Sequence, residues 1–184
     1  MKIPDRNECL TLLAREKVPA HIITHSLRVA QVAVFLTKHL NRCGANLSLV
    51  LVEAGALLHD ITKMSSLVNG GNHAESGARF LNSLGYGEVA EIVRQHIVLD
   101  PRPLTEPLVE PQIVYYADKR VQHDCIVLLA DRVADIIARY GHNKEWARRM
   151  APLNEHIQAL EARFFLGLPF DPAFLNHLNK QSLE

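Results

Sequence analysis

The chain has 184 residues, 48% of them hydrophobic, and its twenty basic side chains balance twenty acidic ones. That length and composition suit one domain with a full core and exclude a disordered chain or a repeat array. The charge balance gives no bulk attraction to nucleic acid or an anionic membrane, and three scattered cysteines without a CxxC pair fit a reducing compartment better than a disulfide framework.

The N-terminal "MKIPDRNECL" lacks the apolar run of a signal peptide, and the longest apolar stretch, "LVLVEAGALL", is short and carries Glu53. A cytoplasmic, soluble protein is expected. Helical periodicity runs through nearly the whole chain and strand alternation is nowhere convincing, so an all-α fold is expected as one domain over 1–184. Asp5 caps a short first helix. A long second helix follows in "AHIITHSLRVAQVAVFLTKHLNRCG", with Ile22, Val29, Ala33, Leu36 and Leu40 at helical spacing. Ser48 or Asn46 opens the next helix, which ends at His59 and Asp60. Asn72 caps "HAESGARFLNSLG", and "GEVAEIVRQHIVL" gives another amphipathic helix. "DPRPLTEPLVEP", with four prolines in twelve residues, is a loop. Beyond it lie "QIVYYADKR", a helix "CIVLLADRVADIIARYG" with Asp124 as N-cap and Gly141 as C-cap, and a further helix with a kink at Pro152.

"EAGALLHDITK", residues 53–63, sets a histidine beside an aspartate where an apolar helix runs out. The pair has two readings. A His near a helix C-terminus complements the dipole and Asp begins a turn; alternatively, His59 and Asp60 are neighbouring ligands of a metal ion. The second reading needs more ligands, and the chain offers them. His25 borders the apolar stripe of the long helix in "THSLRVAQVA", with His21 one turn earlier as a neighbour of the site. His73 follows the glycine-rich "VNGG", His96 sits in "VRQHIVLD", and Asp118 follows an apolar run in "YYADKR". His39, His142, His156 and His177 stand among polar residues and read as surface histidines. A second His-Asp dipeptide, His123 with Asp124, is explained by helix capping. Imidazole and carboxylate donors without cysteine suit Fe, Mn, Co, Ni or Zn in an open site, and Asp60 has two oxygens with which to bridge two ions.

The ordered set His25, His59 with Asp60, and Asp118, in the contexts "HSLRVA" and "ALLHDITK", resembles the HD-domain superfamily of metal-dependent phosphohydrolases over roughly residues 20–140. C-terminal helices over 142–184 are expected to pack on this core. The intervening His73 and His96 look like the pair that distinguishes bimetallic members, nearest to bacterial hydrolases of dinucleoside polyphosphates. The resemblance implies a helical bundle, two divalent metal ions, and water attack on a phosphoester or phosphoanhydride of a nucleotide or dinucleotide. It assigns His25, His59, Asp60 and Asp118 to one ion, and Asp60, His73 and His96 to the other. The HHExxDGxGYP segment of the cyclic-dinucleotide phosphodiesterases is missing, with only "GYG" at 85–87, which argues against that activity. Lys63 is a candidate phosphate contact beside Asp60, or a solvated lysine. Arg94, Arg102, Lys119 and Arg120 are weaker candidates for further phosphates. The expected partner is a small phosphate-bearing molecule, with neither nucleic acid nor membrane; monomer and dimer both stay open. Two other activities share the ligand pattern: a di-iron oxygenase, and a nucleotide-binding module that has lost catalysis.

Overall fold

A computed structural model describes residues 2–140, 144–181 and 183, with side chains omitted over 139–152. Its helices are α1 (Arg6–Arg15), α2 (Ala20–Arg42), α3 (Leu49–Leu58), α4 (Lys63–Asn69), α5 (His73–Ser83), α6 (Gly87–Gln95), α7 (Glu110–Lys119), α8 (Leu129–Tyr140) and α9 (Lys144–Phe165), followed by a 3₁₀ segment, Pro172–Lys180. The fold is all-α apart from a two-stranded hairpin, β1 (Val121–Gln122) and β2 (Cys125–Ile126). Among the described residues no helix is long and apolar enough to cross a membrane.

Local chemistry sets several helix starts. Asp5 and Glu8 close a reciprocal capping box on α1, with Glu8 N–H donating to Asp5 at 2.8 Å and Asp5 N–H to Glu8 at 3.0 Å. Ser48 caps α3, and Asn72 caps α5 by accepting from Ala74 N–H at 2.9 Å. The stripe Ile22, Val29, Ala33, Leu36 and Leu40 of α2 is buried, as its spacing requires. α3 is buried on nearly every face, from Leu51 to Leu58, and packs against α1, α2, α6 and α7. A helix apolar all round belongs at the centre of a bundle, so the polar residues at its end are delivered into the interior. One contiguous core cluster runs from Cys9 to Leu178.

Gly55 lets α6 reach α3. A Cβ at that position would lie 2.6 Å from Cγ2 and 3.1 Å from Cβ of Ile92, whose branched side chain has no room to turn aside. Gly55→Ala is therefore expected to destabilise the fold by about 1–3 kcal/mol, the range for overpacking, read as a lower midpoint in urea with an unchanged slope. A midpoint equal to the parent's would mean that α6 slides freely on α3.

The hairpin corrects the sequence reading around His123 and Asp124. These residues form its tight turn, with His123 at φ 58°, and α8 starts only at Leu129. Helix formation from Asp124 is pre-empted because the backbone of Ile126 exchanges two hydrogen bonds with the Asn179 side chain, each 2.8 Å, and Val127 N–H donates to Arg120 carbonyl at 2.8 Å. Strands of two residues carry no alternation for a pattern to reveal. α4 is likewise an element the periodicity did not predict. α9 continues through Pro152; the helix end expected at Gly141 and the residue His142 lie outside the described residues.

Candidate metal centre

Three helices end at one place. His59 closes α3, His96 closes α6, and Asp118 stands in the last turn of α7, while His73 opens α5 and His25 projects from α2. Helix C-termini carry partial negative charge, so three of them together favour a cation between them.

The six side chains meet around two carboxylates. His25 Nε2 is 3.1 Å and His59 Nε2 3.6 Å from Asp118 Oδ1. Asp60 lies between the histidines, with Oδ2 3.5 Å from His59 Nε2 and Oδ1 3.1 Å from His73 Nε2 and 3.7 Å from His96 Nε2. The donor atoms of His25, His59 and Asp60 lie within 4.8 Å of one another, as do those of Asp60, His73 and His96. Asp60 belongs to both groups. Each is compact enough to hold one metal ion.

Hydrogen bonds to main-chain carbonyls set the tautomers. Nδ1 of His59 donates to Ala56 carbonyl at 2.8 Å, Nδ1 of His96 to Val93 carbonyl at 2.6 Å, and Nδ1 of His25 to His123 carbonyl at 2.8 Å. A carbonyl oxygen only accepts, so Nδ1 carries the proton and the neutral ring presents the Nε2 lone pair to the centre. This is the anchoring that metal-binding imidazoles require. His59 Nε2 is moreover fully buried without a hydrogen-bond partner. A cation would use that orphaned nitrogen, and the donor set fits a divalent transition metal.

The charges agree with this. Burial alone would raise the Asp60 carboxyl, but His59, His73 and His96 outweigh it and hold it well below the ordinary carboxylate range. Burial would raise Asp118 too, and Lys119, with His25 and His59, holds it well below as well. Burial disfavours charge on His59, yet Asp60 and Asp118 outweigh it and raise its pKa; His96 is lowered, chiefly by burial. Lys63 Nζ donates to Asp60 Oδ2 at 2.6 Å, and Lys119 Nζ to Asp118 Oδ2 at 2.8 Å and to His96 carbonyl at 2.6 Å.

Residues 22–134 match the HD domain family, which takes in more than half of the chain. The chain belongs to the HD domain family. Its members are typically metal-dependent hydrolases. This HD domain is 27% identical to a predicted HD superfamily hydrolase of known crystal structure from an uncultured Thermotogales bacterium, with a TM-score of 0.50 over 90% of this chain and 93% of that one. It is 31% identical to a tRNA (cytidine(56)-2'-O)-methyltransferase of Thermoplasma volcanium over 86% of this chain and 48% of the relative. An uncharacterised protein of Methanocaldococcus jannaschii is 29% identical over 76% of this chain and 89% of its own length. The chain spans about half the length of the methyltransferase-named relative.

The HD site opens into a pocket of about 420 Å³ lined by His25, Asp60, His73, His96, Asp118 and Lys63, and also by His21, Ile22, Met64, Leu67, His123 and Arg132. Arg94, Arg102 and Arg120 are not part of this lining. Arg94 is held by Glu91 and Asp100 and Arg102 by Glu106 at 3.0 Å, while Arg120 is fully buried in the core. His39 and His177 pack at tilted angles in an aromatic cluster with Phe35, Phe170 and Phe174. Arg132, Met64 and Leu67 were missed by the sequence reading: Arg132 looks like an ordinary residue of an amphipathic helix, and Met64 and Leu67 lie in α4, which the periodicity did not predict.

Proposed function

We propose that this HD domain is a metal-dependent phosphohydrolase that cleaves a phosphoester or phosphoanhydride of a nucleotide or dinucleotide with water, using two divalent ions. The observation that carries the reading is the set of three imidazoles pinned through Nδ1, whose Nε2 atoms converge on two ionised carboxylates. His25, His59, Asp60 and Asp118 would hold one ion, and Asp60, His73 and His96 the other, with Asp60 common to both groups. When bound, such ions supply Lewis acidity that activates water near neutral pH and offsets charge on phosphoryl oxygens.

The chain's own groups prepare the site. Lys119 binds Oδ2 of Asp118 and so turns Oδ1 towards His25 and His59. Lys63 is partly exposed at the pocket and carries an ammonium that a phosphoryl oxygen can share with Asp60. No serine or cysteine nucleophile is required. The pocket's apolar residues Ile22, Met64 and Leu67 offer a surface for a nucleoside. A dinucleoside polyphosphate is the substrate nearest to the resemblance in the motifs. The methyl transfer named for the Thermoplasma relative is not carried over, since the match spans 48% of that protein.

Elemental analysis of protein purified without added metal is expected to give about two ions per chain, because the ligands outnumber what one open catalytic ion takes from protein. One ion per chain, unchanged in His73→Ala and His96→Ala, would reduce the site to a mononuclear one. Metal affinity is expected to fall as pH is lowered. A proton and a metal compete for Nε2 of His59, whose pKa is raised, so competition begins above the ordinary imidazole range and grows towards acid. Calorimetry in buffers of different ionisation enthalpy reads the protons released. Phosphate release is then screened over nucleotides, dinucleotides and cyclic nucleotides. If no phosphoester is cleaved with Mn, Fe, Co, Ni or Mg, the hydrolase reading fails, and oxygen consumption by an iron-loaded, coloured protein would mark an oxygenase instead.

A further inference from the structure

Arg132, in the first turn of α8, lines the same pocket as the His/Asp centre. Its Nη1 donates to Asp135 at 2.9 Å, an i,i+3 pair on one helix. That pair does not account for the residue's placement. A single i,i+3 pair on one helix contributes little, and this half-buried one leaves Arg132 Nε withdrawn from solvent without an acceptor among the described residues. A buried N–H in that condition is unfavourable, because it has lost water and gained no acceptor. The arrangement is unfavourable in the free protein, and a turn of the side chain that brings Nε to an acceptor on a ligand in the pocket would relieve it.

Geometry selects the kind of acceptor. With Nη1 held by Asp135, the Nε side of the guanidinium remains, and a planar fork of this kind suits a phosphate by two parallel hydrogen bonds. The other arginines considered for phosphate binding are engaged elsewhere: Arg94 with Glu91 and Asp100, Arg102 with Glu106, and Arg120 with Tyr116, Glu161 and main-chain carbonyls. Among the described residues that line the pocket, Arg132 is the arginine. His21 and His123 are further polar residues of the same lining, and Lys63 already sits on Asp60.

We propose that Arg132 is a specificity-determining residue that binds the phosphate next to the one at the His/Asp centre, so that compounds with two linked phosphates are preferred over simple phosphomonoesters. This rests on the phosphohydrolase reading for the role of the centre, but the binding at Arg132 is testable without turnover.

The test uses the manganese-loaded protein with inorganic pyrophosphate and inorganic phosphate as probes, titrated calorimetrically, and 4-nitrophenyl phosphate as a one-phosphate substrate. In Arg132→Gln, pyrophosphate binding is expected to weaken at least about tenfold, the loss of one charged hydrogen-bonded contact. Phosphate affinity, metal content and kcat/KM for 4-nitrophenyl phosphate should stay within about twofold, a change of roughly 0.4 kcal/mol. Arg132→Lys keeps the charge and loses the fork, and the same loss of preference for pyrophosphate is expected. Equal weakening of both anions, or no change in either, overturns the proposal. Absence of all turnover in the parent, with the pyrophosphate preference intact and dependent on Arg132, would overturn the hydrolase reading and leave this subsite standing.

Discussion

Asp60→Asn is expected to abolish the proposed phosphohydrolysis and to bring the metal content from the proposed two ions per chain to below one. Asp60 is the one residue common to both ligand groups, and its two oxygens face His59 on one side and His73 and His96 on the other. Asparagine keeps the shape, removes the charge, and leaves one oxygen where two are needed. Loss of a residue that merely orients a ligand costs about 10–100-fold in metal affinity or activity, so loss of a shared ligand should exceed a hundredfold. Helix content by circular dichroism should be retained, because the lesion lies in coordination and not in the apolar core. His123→Ala is the matched control. His123 touches His25 through its carbonyl, which the substitution leaves in place, so that variant should keep its metal. The opposite pattern, metal lost from His123→Ala and kept in Asp60→Asn, would place the centre at the other His-Asp pair.

Arg120→Met should act on stability alone, with a large effect. The guanidinium is fully buried and donates to Tyr116 hydroxyl at 2.6 Å, Val127 carbonyl at 2.7 Å, Pro172 carbonyl at 2.9 Å and Asn176 at 3.3 Å, with Glu161 at 3.4 Å. It ties α7 to the end of the hairpin, to α9 and to the 3₁₀ segment. Methionine fills much of the volume but takes the cation from the half-buried Glu161 carboxylate, whose remaining hydrogen-bond partner among the described residues is Tyr116 hydroxyl at 2.5 Å. Hydrogen bonds from a charged donor contribute about 1.5–3 kcal/mol each, and with several lost at once from a fully buried guanidinium, partly offset by hydration of the half-buried Glu161, the expected cost is about 3–5 kcal/mol. For a chain of this size that corresponds to a drop in Tm of roughly 6–20 °C, measured on metal-free protein so that metal loss does not contribute. At a temperature where the variant is folded, KM for its phosphoester should match the parent's. A raised KM with an unchanged Tm would return Arg120 to the substrate.

The contrast between these two residues shows where sequence reasoning had purchase. The His59-Asp60 pair was legible as a candidate because the apolar run of α3 stops at Leu58, whereas its place inside the bundle follows from α3 being buried on nearly every face, which only the packing shows. The helical stripes, the Asp5, Ser48 and Asn72 caps and the proline-rich break were legible for the same reason: each is decided by residues within a turn or two of one another. The order His25, His59, Asp60, His73, His96, Asp118 supplied the candidates, and their types supplied the chemistry.

Other features depend on partners far along the chain. Arg120 reads as one more exposed cation after "YYADK" until Pro172 and Asn176 close over it. His123 and Asp124 read as a helix cap until Asn179 takes the backbone of Ile126 and makes the segment a hairpin. Arg132 reads as an ordinary residue of an amphipathic helix until α8 is laid beside the pocket, where its Nε loses water. By itself the sequence determined most of the helices and the donor types, because these follow from periodicity and local hydrogen bonding, and it left the His-Asp pair between a helix cap and a pair of metal ligands. The tertiary structure alone decided which cations reach the pocket and which are spent in the core, because a charged side chain takes its role from the groups that desolvate it, and here those lie tens of residues away.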